Sequence, residues 1–292
     1  MASVTAAAAL ALLAALPATA GAQQDARRSR FEVWAGGSLA DPLLDTTYVT
    51  RYSPTFGFGP VDSTAGQSLT VQGRRAAGGE AGVGWSPDGR WGLRLSAAAS
   101  AGDLAGANGP YSWSARYISS QPPDNQPRPV EVQQSLEWPD TEGRVRVATL
   151  ALAAFRRWEG RRVGGGLSAG PTLVRASGEL RSLGFTALHL GGHSTFFTQE
   201  FEVEAALDPS TVAAFQAGAD VDLALARSWR LRLAYRYLRA HASPTPRVGR
   251  VVNADEILLG EPLSRIESDL DLQPFRLDLS SSRLLLSVVF NR

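Results

Sequence analysis

Runs of strict two-residue alternation, joined in pairs by very short turns, constrain this chain more than any other feature. The turns are Ser86-Pro87-Asp88-Gly89, Glu159-Gly160 and Arg227-Ser228, and Trp85, Trp91, Trp158 and Trp229 stand beside them. Eight runs alternate, at about 31–39, 79–85, 91–100, 144–155, 162–170, 212–226, 229–237 and 282–290. In the sixth, Phe215, Ala217, Ala219, Val221, Leu223 and Leu225 alternate with Gln216, Gly218, Asp220, Asp222 and Ala224. A period of two sends successive side chains to opposite faces of a strand. Helical periodicity is hard to find beyond residue 22, so the chain reads as all-β.

Between the paired runs lie long connections rich in Pro, Gly and Ser, at about 40–77, 101–143, 176–211 and 241–274. Short links alternating with long ones string together an antiparallel membrane barrel. Tryptophan at the short links suits headgroup depth, where an amphipathic ring is at home. The third, sixth and seventh runs have about ten residues or more, enough to cross a bilayer at the usual tilt. The second and third, fourth and fifth, and sixth and seventh runs pair through turns, leaving the first and last to close the ring. The expected fold is a closed antiparallel transmembrane β-barrel of eight strands, with short periplasmic turns and four long extracellular loops.

Three alternatives stay open. The stretches 178–190 and 194–204 alternate around Gly191-Gly192-His193 and read as a hairpin continuing past the membrane, which would make ten strands if it joined the wall. In the fourth run the apolar residues change parity near Leu150, which predicts a bulge or a one-residue slip. A soluble β-sandwich also alternates, and would pack one face of every strand against a second sheet.

Residues 6–16 form an uncharged apolar run, followed by Pro17 and by small residues ending at Ala22. That pattern predicts a cleaved signal peptide over 1–22 and a barrel domain over 23–292, although the first five residues carry no Arg or Lys. The run is too short to span a bilayer as a helix. The chain has no cysteine, which excludes disulfides and thiolate metal sites. A formal net charge of +1 implies no nucleic-acid partner.

These alternating runs and tight turns resemble the small outer-membrane β-barrel proteins of Gram-negative bacteria, the eight-stranded OmpA/OmpX/OmpW-like group. The resemblance is architectural and covers 23–292. It implies outer-membrane lipids and lipopolysaccharide as partners, and the barrel assembly machinery during insertion. The group typically ends in an aromatic residue; here Leu284, Leu286, Val288 and Phe290 keep the alternation, but Asn291-Arg292 follow.

Parity places Glu80, Arg94, Asp220, Asp222, Arg232 and Arg236 inside, together with Arg146 if the register before Leu150 holds. An eight-stranded barrel is nearly filled by its own side chains, and charges buried there must pair. The expected role of these residues is therefore a structural plug in an outer-membrane protein with a structural or surface-interaction function. The alternative is a narrow passage for small molecules.

Trp85, Trp91, Trp158 and Trp229 are the expected membrane-interface aromatics. No catalytic, cofactor-binding or metal residue is assigned, and no cofactor is expected. His189, His193 and Ser194 could suggest a lipid-modifying hydrolase, but Gly191-Gly192 oppose the helix that would bring the two histidines together. His241 reads as a rim residue. In the loops, Tyr48, Tyr52, Tyr111, Trp113, Tyr117, Phe196 and Phe197 are candidates for a second aromatic belt or a contact surface. Arg51, Arg74, Arg75, Arg116 and Arg128 are candidates for lipopolysaccharide phosphates. The extracellular ligand is unknown.

Overall fold

A computed structural model describes residues 30–42, 45–52, 62–119, 128–160, 162–191, 195–252, 270–271, 274 and 276–292. The expected signal segment 1–22, His193 and Ser194 lie outside them. So do the side chains of Arg51, His189 and the candidate loop aromatics other than Tyr111.

In chain order the strands are β1 (Arg30–Pro42), β2 (Asp45–Tyr52), β3 (Asp62–Gly73), β4 (Ala76–Ser86), β5 (Trp91–Asn108), β6 (Tyr111–Ser119), β7 (Arg128–Leu136) and β8 (Thr141–Trp158). Then come β9 (Val163–Gly191), β10 (Thr195–Ala224), β11 (Trp229–Arg239), β12 (His241–Ala242), β13 (Pro246–Val252), β14 (Leu270–Asp271), β15 (Leu277–Asp278) and β16 (Ser281–Asn291).

Eight of these close a ring in the order β1, β4, β5, β8, β9, β10, β11, β16 and back to β1, every pairing antiparallel. Each ring strand therefore has two hydrogen-bonded neighbours and the wall has no open edge, the condition that defines a barrel. The ring strands coincide with the eight alternating runs. At the seam the chain's last residue pairs with the start of β1: Phe31 N donates to Arg292 O at 3.3 Å, and Arg292 N to Phe31 O at 3.0 Å.

The ten-strand alternative falls away. Residues 178–190 and 195–204 are the outer ends of β9 and β10, which continue past the ring as one long hairpin. The hairpin bends where its register shifts between Val203 and Ala205, opposite Ser182, whose φ of 66° is left-handed. A bulge of this kind adds twist and re-aims the strand.

Around this hairpin much of what is described of the connections expected as loops is strand. β3 pairs with β2, with β6 and with the outer end of β5; β6 pairs with β7; and β13 pairs with the outer end of β10. Their inner faces share one apolar core, including Leu69, Val71, Leu104, Leu180, Val203 and Leu277. Tyr111 belongs to that core rather than to a surface belt: it is 1% exposed, with its ring centroid 5.8 Å from that of Trp138.

The expected slip in β8 is also absent. Its pairings run unbroken from Trp91↔Arg156 to Gly106↔Thr141, with odd-numbered residues inward throughout. The apolar residues change parity because the interior changes character. Arg157 faces in near the short turns, whereas Val145 and Val147 face in near the loops, over the apolar core.

Candidate functional site: a charged network inside the barrel

The Ser86–Gly89 turn illustrates how the short links are made. Asp88 accepts hydrogen bonds from the backbone N–H of Arg90 and Trp91, both at 2.8 Å, and Gly89 takes a φ of 74° that disfavours any side chain. Those two N–H groups, Trp91 first, hold the Asp88 carboxyl below its ordinary value. Trp85, Trp91, Trp158 and Trp229, beside the turns, are about half exposed on the outer face.

From these tryptophans towards the loops the outer face is uncharged for a long way. Leu93, Leu95, Leu150, Leu152, Leu233 and Leu286 are all exposed there. Charge next appears outward at Asp103 after Trp91, at Arg146 ten residues before the turn-edge Arg156, and at Arg239 after Trp229. That is ten to twelve residues, or roughly 25–30 Å at the rise and tilt usual for barrel strands. Arg156, next to Trp158 at the turn edge, stacks over Trp91 with its Cζ 5.1 Å from the ring centroid.

The inner face at the same level is charged. Glu32 on β1 is the hub: Arg94 Nε donates to its Oε1 at 2.8 Å, Arg232 Nη2 to its Oε2 at 3.0 Å, and Arg157 Nη2 also to Oε2. Arg232 grips Asp222 with two parallel bonds, Nε to Oδ1 at 2.7 Å and Nη2 to Oδ2 at 3.0 Å, the strong bidentate geometry. Arg94 Nη1 donates to Asp220 Oδ2 at 2.6 Å, and Arg236 stands 3.9 Å from the same oxygen. Glu80 accepts from Trp34 Nε1 at 3.2 Å. Arg94 also lies over Phe155, 4.3 Å from the ring centroid, a cation–π contact out of water.

Glycine makes room for this crowd. A methyl group at Gly82 would collide with the Trp34 ring, and one at Gly84 would meet Glu32 Cγ at 2.7 Å. Real Cβ atoms do not approach that closely, so large residues there would overpack the interior at about 1–3 kcal/mol each.

Glu80, Arg94, Asp220, Asp222, Arg232 and Arg236 thus lie together, buried, within one network. Arg146 does not. With β8 in unbroken register its even-numbered residues face outward, and Arg146 is exposed beside the loop-side edge of the apolar surface. Sequence reasoning passes over three inner charges: Glu32, Arg157 and Arg283. Glu32 and Arg283 have opposite parity to Leu39 and Leu284, so alternation alone could have found them. Arg157 was hidden by the apparent slip.

At the turn-side mouth, Arg30 and Arg230 both donate to Glu159, the latter at 3.2 Å. Burial by itself would raise the Glu159 carboxyl above its ordinary 4.5, but the Arg30 hydrogen bond and the charges of Arg30 and Arg230 outweigh it and hold it below. A carboxyl lowered in the folded state contributes stability that is present above its unfolded pKa and is lost as pH falls through its folded pKa. Glu159→Gln should therefore make acid destabilisation below about pH 4.5 shallower, while costing less than about 1 kcal/mol at neutral pH. Urea unfolding at neutral and acid pH reads this; identical pH slopes in the two proteins would contradict it.

No protein-family model matches this chain, and no curated protein is similar to it in sequence. Among solved structures, it is similar to the outer membrane protein OprG from Pseudomonas aeruginosa, at 10% identity over 91% of this chain and 97% of that one, with a TM-score of 0.47. It is also similar to Ail, the attachment invasion locus protein of Yersinia pestis, at 8% identity over 90% and 99%, with a TM-score of 0.35. The Neisserial surface protein A is a third, at 14% identity over 89% and 96%, with a TM-score of 0.31.

Proposed function

We propose that this chain is an integral outer-membrane β-barrel whose lumen is plugged by its own charges and whose specific role is surface interaction, exerted by the strand-built outer extension. One observation carries the reading. The outer face of a closed barrel is apolar at the level where its inner face is charged, the reverse of a water-soluble protein. An exposed apolar girdle of this extent is far larger than the patches that monomers keep in water. Inside, bidentate pairing and nearly complete burial set most of the charges against one another rather than along a channel.

Lipid contacts follow the same division. Trp85, Trp91, Trp158 and Trp229 would mark the periplasmic headgroups. Arg144, Arg146 and Arg175, exposed at the loop-side edge of the girdle, would meet lipopolysaccharide phosphates. Residues 1–22 would act as the export signal, and the assembly machinery would receive the barrel during insertion.

Fractionation, heat-dependent gel mobility and planar-bilayer recording test the proposal together. The protein should stay in the outer-membrane pellet, shift mobility on boiling and conduct negligibly. Asp220→Asn should lower its unfolding temperature by roughly 5–10 °C while leaving conductance unchanged. A stable variant with altered conductance would mean a narrow passage instead, and a chain found soluble in the periplasm would overturn the membrane reading.

A further inference from the structure

Five arginines and four carboxylates are buried among the described residues. Arg94, Arg157, Arg232 and Arg236 each lie within 4.0 Å of a carboxylate. Arg283 has no such partner among the described residues. It is 5% exposed, its Nη1 donates only a long bond of 3.4 Å to Thr149 Oγ1, and its Nε has no acceptor. Its direct cross-strand neighbour is another arginine, Arg236. Like charges directly opposite each other on adjacent strands repel. The Glu80 carboxylate acts on both Arg236 and Arg283 but lies within 4.0 Å of neither, and the Asp220 oxygen that Arg236 approaches at 3.9 Å is already held by Arg94 at 2.6 Å, so the two arginines share one distant carboxylate.

Arg283 also lines a cavity of ≈ 20 Å³ between the charged network and the apolar core, with Ser100, Ser281, Val145, Val147 and Leu279 among its other walls. Ser281 Oγ, two residues along the same inner face, is likewise buried without a partner. A cavity of this size admits about one or two water-sized groups. Two buried donors without acceptors, one of them on a cation with no carboxylate within 4.0 Å among the described residues, are each costly.

We infer that Arg283 and Ser281 form a binding site for a small monovalent anion, a halide or a carboxylate no larger than formate. The guanidinium supplies the charge and its Nε–H, with the Ser281 hydroxyl, the directed hydrogen bonds. The apolar walls select for small size and weak hydration, so sulfate and phosphate are excluded by volume and by the cost of stripping their water. The site goes beyond the plug reading, since it assigns this end of the lumen a ligand.

The test uses the refolded full chain in zwitterionic micelles, in gluconate buffer at constant ionic strength. Adding chloride should broaden the ³⁵Cl resonance saturably and raise the unfolding temperature by several degrees. Formate should displace the chloride, and gluconate should not. Arg283→Met, checked for folding by gel mobility, should lose both effects. Ser281→Ala should bind roughly tenfold more weakly, the loss of about one hydrogen bond to a charged group. Equal saturable broadening in the wild type and Arg283→Met, or none in either, would overturn the site. If Arg283→Met fails to fold, an unchanged chloride affinity in Ser281→Ala overturns it.

Discussion

Glu32→Gln should destabilise the barrel by about 3–5 kcal/mol, because it removes a carboxylate to which three buried arginines donate hydrogen bonds. Glutamine keeps the shape and one acceptor oxygen, so the loss is of charge rather than of volume. Arg94 and Arg232 retain Asp220 and Asp222, but Arg157 is left with only Asp222 Oδ2, at 3.6 Å. Arg157→Met in the same chain should therefore recover part of the loss, and a double-mutant cycle on urea unfolding in lipid vesicles would measure the coupling. The outcome separates a dry plug from a wet lumen. If water filled the interior, each charge would be solvated, Glu32→Gln would cost well under 1 kcal/mol and the two substitutions would add independently.

The second large effect lies on the opposite face. Leu286 is 55% exposed and sits midway along β16, between Gly37 on β1 and Leu233 on β11. Leu286→Arg should cost about 2–4 kcal/mol, the penalty for a cation facing lipid near the bilayer midplane. Leu39→Arg, the same change nearer the loop-side end of β1, should cost no more than about 1 kcal/mol. In a water-soluble protein both positions would be ordinary surface, with effects within about 0.5 kcal/mol. Equal, near-zero costs in urea titrations of vesicle-embedded protein would therefore remove the girdle, and the membrane reading with it.

Much of the architecture was legible because a β-strand has a period of two, and that period survives any tertiary context. The six-residue run from Phe215 to Leu225 and its complement in Asp220 and Asp222 declare two faces without reference to the rest of the molecule. The Ser-Pro-Asp-Gly turn is equally local, since Asp88 and Gly89 act on their own backbone. What misled the reading was the assumption of a uniformly polar lumen. With Val145 and Val147 facing in, polarity ceased to report parity in β8, and Arg146 was turned the wrong way. In the long connections the sequence showed the 178–204 hairpin, but not the strands of the other connections, which lack its alternation and pair with the outer ends of β5 and β10.

By itself the sequence determined the alternating runs, the short turns that pair them and the inward placement of Glu80, Arg94, Asp220, Asp222, Arg232 and Arg236. Only the tertiary structure decided which of those residues meet. Glu32 gathers arginines 62, 125 and 200 residues away. Parity assigns a side chain to the inside, but its height there depends on the stagger between neighbouring strands, accumulated around the ring. That stagger brings Glu32, Arg94, Arg157, Asp222 and Arg232 to one level, and leaves Arg283 above it beside a cavity, a charge with no carboxylate within 4.0 Å among the described residues.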